Sequence, residues 1–267
     1  MGNEWQGSRE WKDISTKWRL VPAGLRSSRP EDPFAQGWLA MDAGDVARAK
    51  GLFEEACRLR GDGNDHVALG DVHVARRDWF AAEAQFQRAL VVAPLSILAV
   101  LGLALVRAAT GQAETAVAEL DVLARTRKGD PVIGYYLAVA LLARTVEVRT
   151  ETGDGRLLIG DVKQLEQCED LAQRVALSGV DDAELLSAAR ALLTEVQSGR
   201  EWIWTAPRNA GFLGGVAAVF GVVPIVLGGL LDSWPLVVAG LVIGAAAVFY
   251  AVYQYRRQRW QLRALSR

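Results

Sequence analysis

The sequence predicts an all-α protein: stacked helix pairs, followed by a two-helix transmembrane hairpin. Three observations lead there. A pattern of small and bulky apolar residues returns every 33 or 34 residues, first at Gly37 and last at Ala138. Two runs of 22 residues, Ala210–Leu231 and Trp234–Tyr255, carry no charge. The charge is also unevenly divided, although the 267 residues sum to −1. Residues 1–208 hold 25 Lys+Arg against 30 Asp+Glu, and residues 209–267 hold five Arg against one Asp. An acidic body repels phosphates, which excludes a general nucleic-acid binder. Charge-free runs of this length exclude a plain soluble globule.

Residues 1–29 are expected to be a flexible, Trp-containing segment. Trp11, Ile14 and Trp18 stand at i, i+3, i+7, with Trp5 ahead of them and Lys12, Lys17 and Arg19 around them. That spacing describes a short amphipathic helix. The stretch VPAGLRSSRPEDP then reads as a linker. Such an element has three possible homes: the chain's own groove, a membrane interface, or a partner.

Residues 30–200 carry the repeat. Gly37, Ala49, Phe53 and Ala56 return as Gly70, Ala82, Phe86 and Ala89, then as Ala104, Ala116, Leu120 and Leu123. A fourth start falls at Leu137-Ala138, and Pro94 and Pro131 separate units. Asp45 is placed to cap one helix after the Gly44 that ends its predecessor. A long helix near 131–150, an insertion EVRTETGDGRLLIGD, and helices near 161–178 and 181–199 complete the region. Two-helix units of this kind cannot bury their apolar faces alone, so they stack.

Period and pattern resemble the tetratricopeptide repeat, most closely in residues 63–96, where Leu69-Gly70, Ala82, Phe86, Ala89 and Pro94 all fit. The resemblance implies a right-handed superhelix whose first helices line a concave groove. It also implies which positions face that groove. They are Glu31, Phe34, Trp38 and Met41; Asn64, Val67, Asp71 and Val74; Leu98, Leu101, Leu105 and Ala108; Val132, Tyr135, Val139 and Leu142. Only Glu31 and Asp71 among them are charged, which argues against a cationic clamp for a carboxylate terminus. An apolar groove suits an amphipathic or hydrophobic segment instead.

A juxtamembrane linker, 201–209, leads to the expected hairpin at 210–255 and a basic tail at 256–267. A helix rising about 1.5 Å per residue needs ~20 residues to cross a hydrocarbon core. Both runs suffice, Pro235 suits the first turn of the second, and Pro224 is expected to kink the first. Arginines flank the outer ends, Arg256, Arg257 and Arg259 among them, and the turn holds no cation. The positive-inside rule then puts both termini in the cytoplasm. Trp202, Trp204, Trp234 and Trp260 are placed as interfacial anchors. Gly211, Gly215, Ala217, Gly221, Gly240 and Gly244 supply small-residue spacing for close helix approach, within or between chains. Arg outnumbers Lys by 25 to 5, a bias expected of a GC-rich bacterial genome, hence a bacterial inner membrane.

No catalytic, cofactor or metal constellation stands out. His66 and His73 lack a Glu partner, and Cys57 and Cys168 form no CxxC pair. Asp62-Gly63-Asn64-Asp65 begins like a calcium loop but lacks its later ligands. The expected function is a membrane-anchored scaffold that recruits a protein or peptide partner to the cytoplasmic face of the bilayer. The alternative is a pore-forming or membrane-perturbing effector of a bacterial defence or toxin type, whose hairpin oligomerises when the repeat domain is triggered.

Overall fold

A computed structural model gives the fold; it describes residues 6, 8–22, 31–204, 215, 218–231 and 233–258. The chain forms two compact units, one of residues 1–150 with 166–193 and one of residues 151–165 with 194–267.

The first unit is built from helices. It opens with α1 (Arg9–Lys17), which runs into a single 3-10 turn at Trp18–Leu20. Three helix pairs follow: α2 (Pro33–Asp42) with α3 (Val46–Leu59), α4 (Gly63–Ala75) with α5 (Trp79–Val92), and α6 (Ile97–Ala109) with α7 (Ala113–Thr126). Then come α8 (Pro131–Val148), α9 (Val162–Leu177) and α10 (Ala183–Arg200); the start of α9, the end of α10 and all but Thr150 of a short β-hairpin, Thr150–Glu151 with Leu157–Leu158, are counted in the second unit. Successive helices of the three pairs pack on one another.

Local chemistry accounts for the boundaries. Asp45, Asp78 and Asp130 accept backbone N–H groups at the starts of α3, α5 and α8. Gln112 gives no such cap to α7, and the carboxylate of Glu147 on α8 takes its place, accepting from Ala113 N at 2.7 Å. Asp62 and Asp65 form a reciprocal capping box at the start of α4. Three helices end alike, with a left-handed residue at Gly44, Arg77 and Gly111.

The repeated residues make the joints. Ala49, Phe53, Ala82, Phe86, Ala116 and Leu120 are fully buried. A Cβ on Gly37 would lie 2.5 Å from the Phe53 ring, and one on Gly70 would lie 2.6 Å from the Phe86 ring. Phe86 also presses on Gly102 of the next pair, at 2.5 Å from a Cβ built there. Each ring of this kind therefore needs a bare backbone opposite it, and Phe86 ties two pairs together.

The second unit contains β3 (Trp202–Trp204), a π-helical stretch at Ala218–Val222, α11 (Val223–Leu230), α12 (Trp234–Tyr255) and β4 (Arg256–Gln258). Strands β3 and β4 pair antiparallel, with Trp202 opposite Gln258 and Trp204 opposite Arg256. Pro224 sits at the second residue of α11, directly after the π-helical stretch, where the helical hydrogen-bond pattern changes. Helices α11 and α12 meet at Gly228, where a Cβ would stand 2.8 Å from Val237 N.

Among the described residues one helix, α8, is long and apolar enough to cross a membrane, and 56% of it is buried in the protein. Its neighbours make it a core helix of the first unit, so its apolarity has another cause. The first expected span, 210–231, lies largely outside the described residues. The second expected span coincides with α12, Trp234–Tyr255.

Candidate interaction groove

Of the sixteen positions expected to line a groove, fifteen sit on α2, α4, α6 and α8 and Glu31 precedes α2; the structure gathers these four helices around α1. Phe34, Trp38, Met41, Val67, Asp71, Val74, Leu98, Leu101, Leu105 and Tyr135 are buried; Val139 and Leu142 are half-buried. The N-terminal segment, expected to be flexible, is over residues 9–20 an ordered helix and 3-10 turn packed on this face.

Its seat is built from both apolar and polar contacts. Ile14 and Trp18 are fully buried. The Trp18 ring lies edge-on to Trp38 at 4.7 Å and tilted to Phe34 at 6.0 Å. Trp18 Nε1–H donates to Asp71 Oδ2 at 2.7 Å, and the other oxygen of Asp71 pairs with the Lys17 ammonium. Lys17 is 0% exposed, with Nζ 4.4 Å from the centre of the Phe86 ring. Burial is the largest influence on this lysine and lowers its pKa, outweighing Asp71.

At the other end Asp13 takes the same part in reverse. Tyr135 OH donates to Asp13 Oδ1 at 2.6 Å, and Tyr136 OH donates to the Asp13 carbonyl. Burial raises the Asp13 pKa against the pull of Arg9. Edge contacts complete the seat. Arg77 Nε donates to Glu10 at 2.8 Å, Arg9 meets Glu184 at 3.5 Å, and Lys12 pairs with Asp182. Burial alone would raise the Asp182 and Glu10 pKa values; Lys12 with backbone N–H groups, and Arg77 with a backbone N–H, hold them below the usual range.

Two openings flank α1. One of about 230 Å³ lies between Arg9, Glu10, Trp79, Leu105 and Val139. The other, about 960 Å³, opens between Lys12, Arg19, Arg127, Lys128, Asp181 and Asp182.

Sequence reasoning missed Asp13, Lys17, Tyr136 and Asp182. Spacing placed Lys17 beside the apolar stripe, but nothing in the sequence says that the buried Asp71 faces it. The apparent calcium-loop residues Asp62 and Asp65 cap α4, with Asp65 also held by Arg60 Nε at 3.0 Å. His66 Nδ1 is 3.1 Å from Gln85 and His73 Nδ1 is 3.3 Å from Asp78. Burial, then Asp65 and Asp62, push the Cys57 thiol up to about 11, which keeps it protonated and weakly nucleophilic at neutral pH.

The small residues proposed for membrane-helix packing divide. Gly240 is buried and Gly244 half-buried on α12, Gly215 is exposed and helical, and Gly221 lies in the π-helical stretch. Gly211 and Ala217 lie outside the described residues, as do Arg259 and Trp260. A close approach of α11 and α12 occurs at Gly228. Trp202, Trp204, Arg256 and Arg257 fall on β3 and β4, and Trp234 is exposed at the start of α12.

No protein-family model matches the chain, and neither the curated proteins nor the solved structures give a match.

Proposed function

We propose that the chain is a membrane-anchored interaction scaffold of tetratricopeptide type, whose array recruits a protein segment while the C-terminal helices hold it at the bilayer. The observation that carries this reading is the seat of α1: four helices converge on a helical segment outside the repeats and hold it by side-chain contacts. A surface that binds an internal helix is chemically able to bind an external one. The tetratricopeptide assignment draws support from the Phe53–Gly37 and Phe86–Gly70 joints.

The membrane part draws support from two features of the second unit. Helices α11 and α12 expose Val226, Leu230, Leu241, Val242, Ile243 and Phe249, an apolar surface suited to lipid. Pairing of β3 with β4 brings together the segments that precede and follow these helices, as two spans with both ends on one side require. Tethering raises the local concentration of whatever the array captures. Fractionation of cells expressing the full chain tests the reading. Recovery in the membrane with a co-purifying protein is expected; recovery in the soluble fraction refutes it. Dye leakage on expression, without a bound partner, would favour the membrane-perturbing effector instead.

A further inference from the structure

The face that α1 presents to the groove is chemically particular. Five of its nine residues are charged, and a helix this short and polar is not stable alone. Two of those charges, Asp13 and Lys17, are buried. A permanent core element would gain as much from apolar residues at these sites and at the groove positions they face, because a buried ion pair replaced on both sides by packed hydrophobic groups is often no loss. What the buried charges add is register: Asp71 takes a cation and accepts an indole N–H, and the Tyr135 and Tyr136 hydroxyls donate to the carboxylate and the backbone carbonyl of Asp13.

Arg77 points the same way independently. It occupies the left-handed position that is glycine in the neighbouring pairs, at φ +56° against +78° for Gly44 and +81° for Gly111. A side chain is strained there. Its guanidinium reaches Glu10 of α1. The exception to glycine is found where a side chain can hold α1.

We propose that α1 is an internal copy of the ligand this groove takes. The partner is a helix carrying an acid, an aliphatic residue, a lysine and a tryptophan at the spacing of Asp13, Ile14, Lys17 and Trp18, and it binds by displacing α1. This deepens the scaffold reading and rests on it.

The test uses the full chain in detergent and a fluorescein-labelled synthetic peptide of residues 6–22. Glu10→Lys with Lys12→Glu reverses two edge ion pairs of α1 and leaves Ile14, Lys17 and Trp18 in place. The expected result is peptide binding to this double variant at least about tenfold tighter than to the unaltered chain, because a competing internal ligand has been weakened. Adding Asp71→Asn reduces that binding about tenfold, while circular dichroism keeps the helical signal. Amide exchange of the unaltered chain supplies a second readout. Residues 9–17 should exchange through a local opening, faster than α4 and α6. Three results overturn the proposal: no peptide binding by a folded double variant, binding indifferent to Asp71, or exchange of α1 only with global unfolding. Dimers formed by swapping α1 between copies would also overturn it, in favour of a second chain as the occupant. Failure of the scaffold reading shows separately, in the fractionation experiment, which does not depend on the peptide.

Discussion

Lys17 and Asp71 show how a buried charge can be specific without being strongly stabilising. Removing one partner leaves the other uncompensated, at a cost of about 3–5 kcal/mol, whereas replacing both with apolar groups is near neutral. Lys17→Met is therefore expected to lower the thermal midpoint, and Lys17→Met with Asp71→Leu to recover only part of the loss, because the Trp18 indole N–H then lacks its acceptor. Equal losses in single and double variants would show that the pair is not coupled. Arg77 yields a second prediction. Arg77→Gly relieves a strained backbone worth about 1–3 kcal/mol, yet removes the contact to Glu10. Global stability should hold or rise while exchange within α1 quickens; slower exchange of α1 would contradict the assigned role.

At the scale of the element, the glycines separate two roles. Gly70 and Gly102 both press on the same edge of the fully buried Phe86 ring, so the ring has little room to retreat. Gly70→Ala sets a helix-propensity gain of about 1 kcal/mol against overpacking of ~1–3 kcal/mol, and a net loss of stability is expected. Gly51, exposed on α3 with nothing within 4 Å of a Cβ, is the control: Gly51→Ala should stabilise by up to about 1 kcal/mol. Calorimetry of the two variants decides; a stabilised Gly70→Ala would mean that the joint is looser than described. Helix α1 also responds to pH. Glu10 and Asp182 have folded pKa values below their unfolded ones, so their contribution is present above the unfolded values and lost as pH falls through the folded ones. Asp13 is raised and acts oppositely, favouring the seat when protonated. Acid should therefore loosen the edges of α1 before its middle. Exchange protection, corrected for intrinsic rates, should drop first at Glu10 and Lys12, and an earlier drop at Ile14 would reverse the assignment.

For the whole molecule, the prediction concerns topology. A cysteine introduced at Ser233, between α11 and α12, should react with an impermeant reagent added to intact cells if both ends of the helix pair are cytoplasmic. Reaction only after lysis would place that turn inside. The native thiols can stay in place: Cys168 is fully buried and Cys57 half-buried with a raised pKa, so background labelling is slow.

Periodicity alone was enough to place the helix pairs, because spacing of Ala, Gly and Phe along one chain reports which faces must be apolar and which must be bare. Gly37, Gly70, Phe53 and Phe86 were legible for that reason, and helices expected near 161–178 and 181–199 occur at Val162–Leu177 and Ala183–Arg200. The joint at Gly102 was not legible, since its partner Phe86 belongs to the preceding pair. The replacement cap from Glu147 was hidden for the same reason. Asp71 and an amphipathic stripe around Trp18 could both be named from the sequence, each on its own segment. That they meet, and that Lys17 joins them fully buried, out of contact with solvent, is a matter of tertiary structure. A charge is compatible with either water or burial by its sequence alone; only the arrival of an opposite charge from a distant helix decides which.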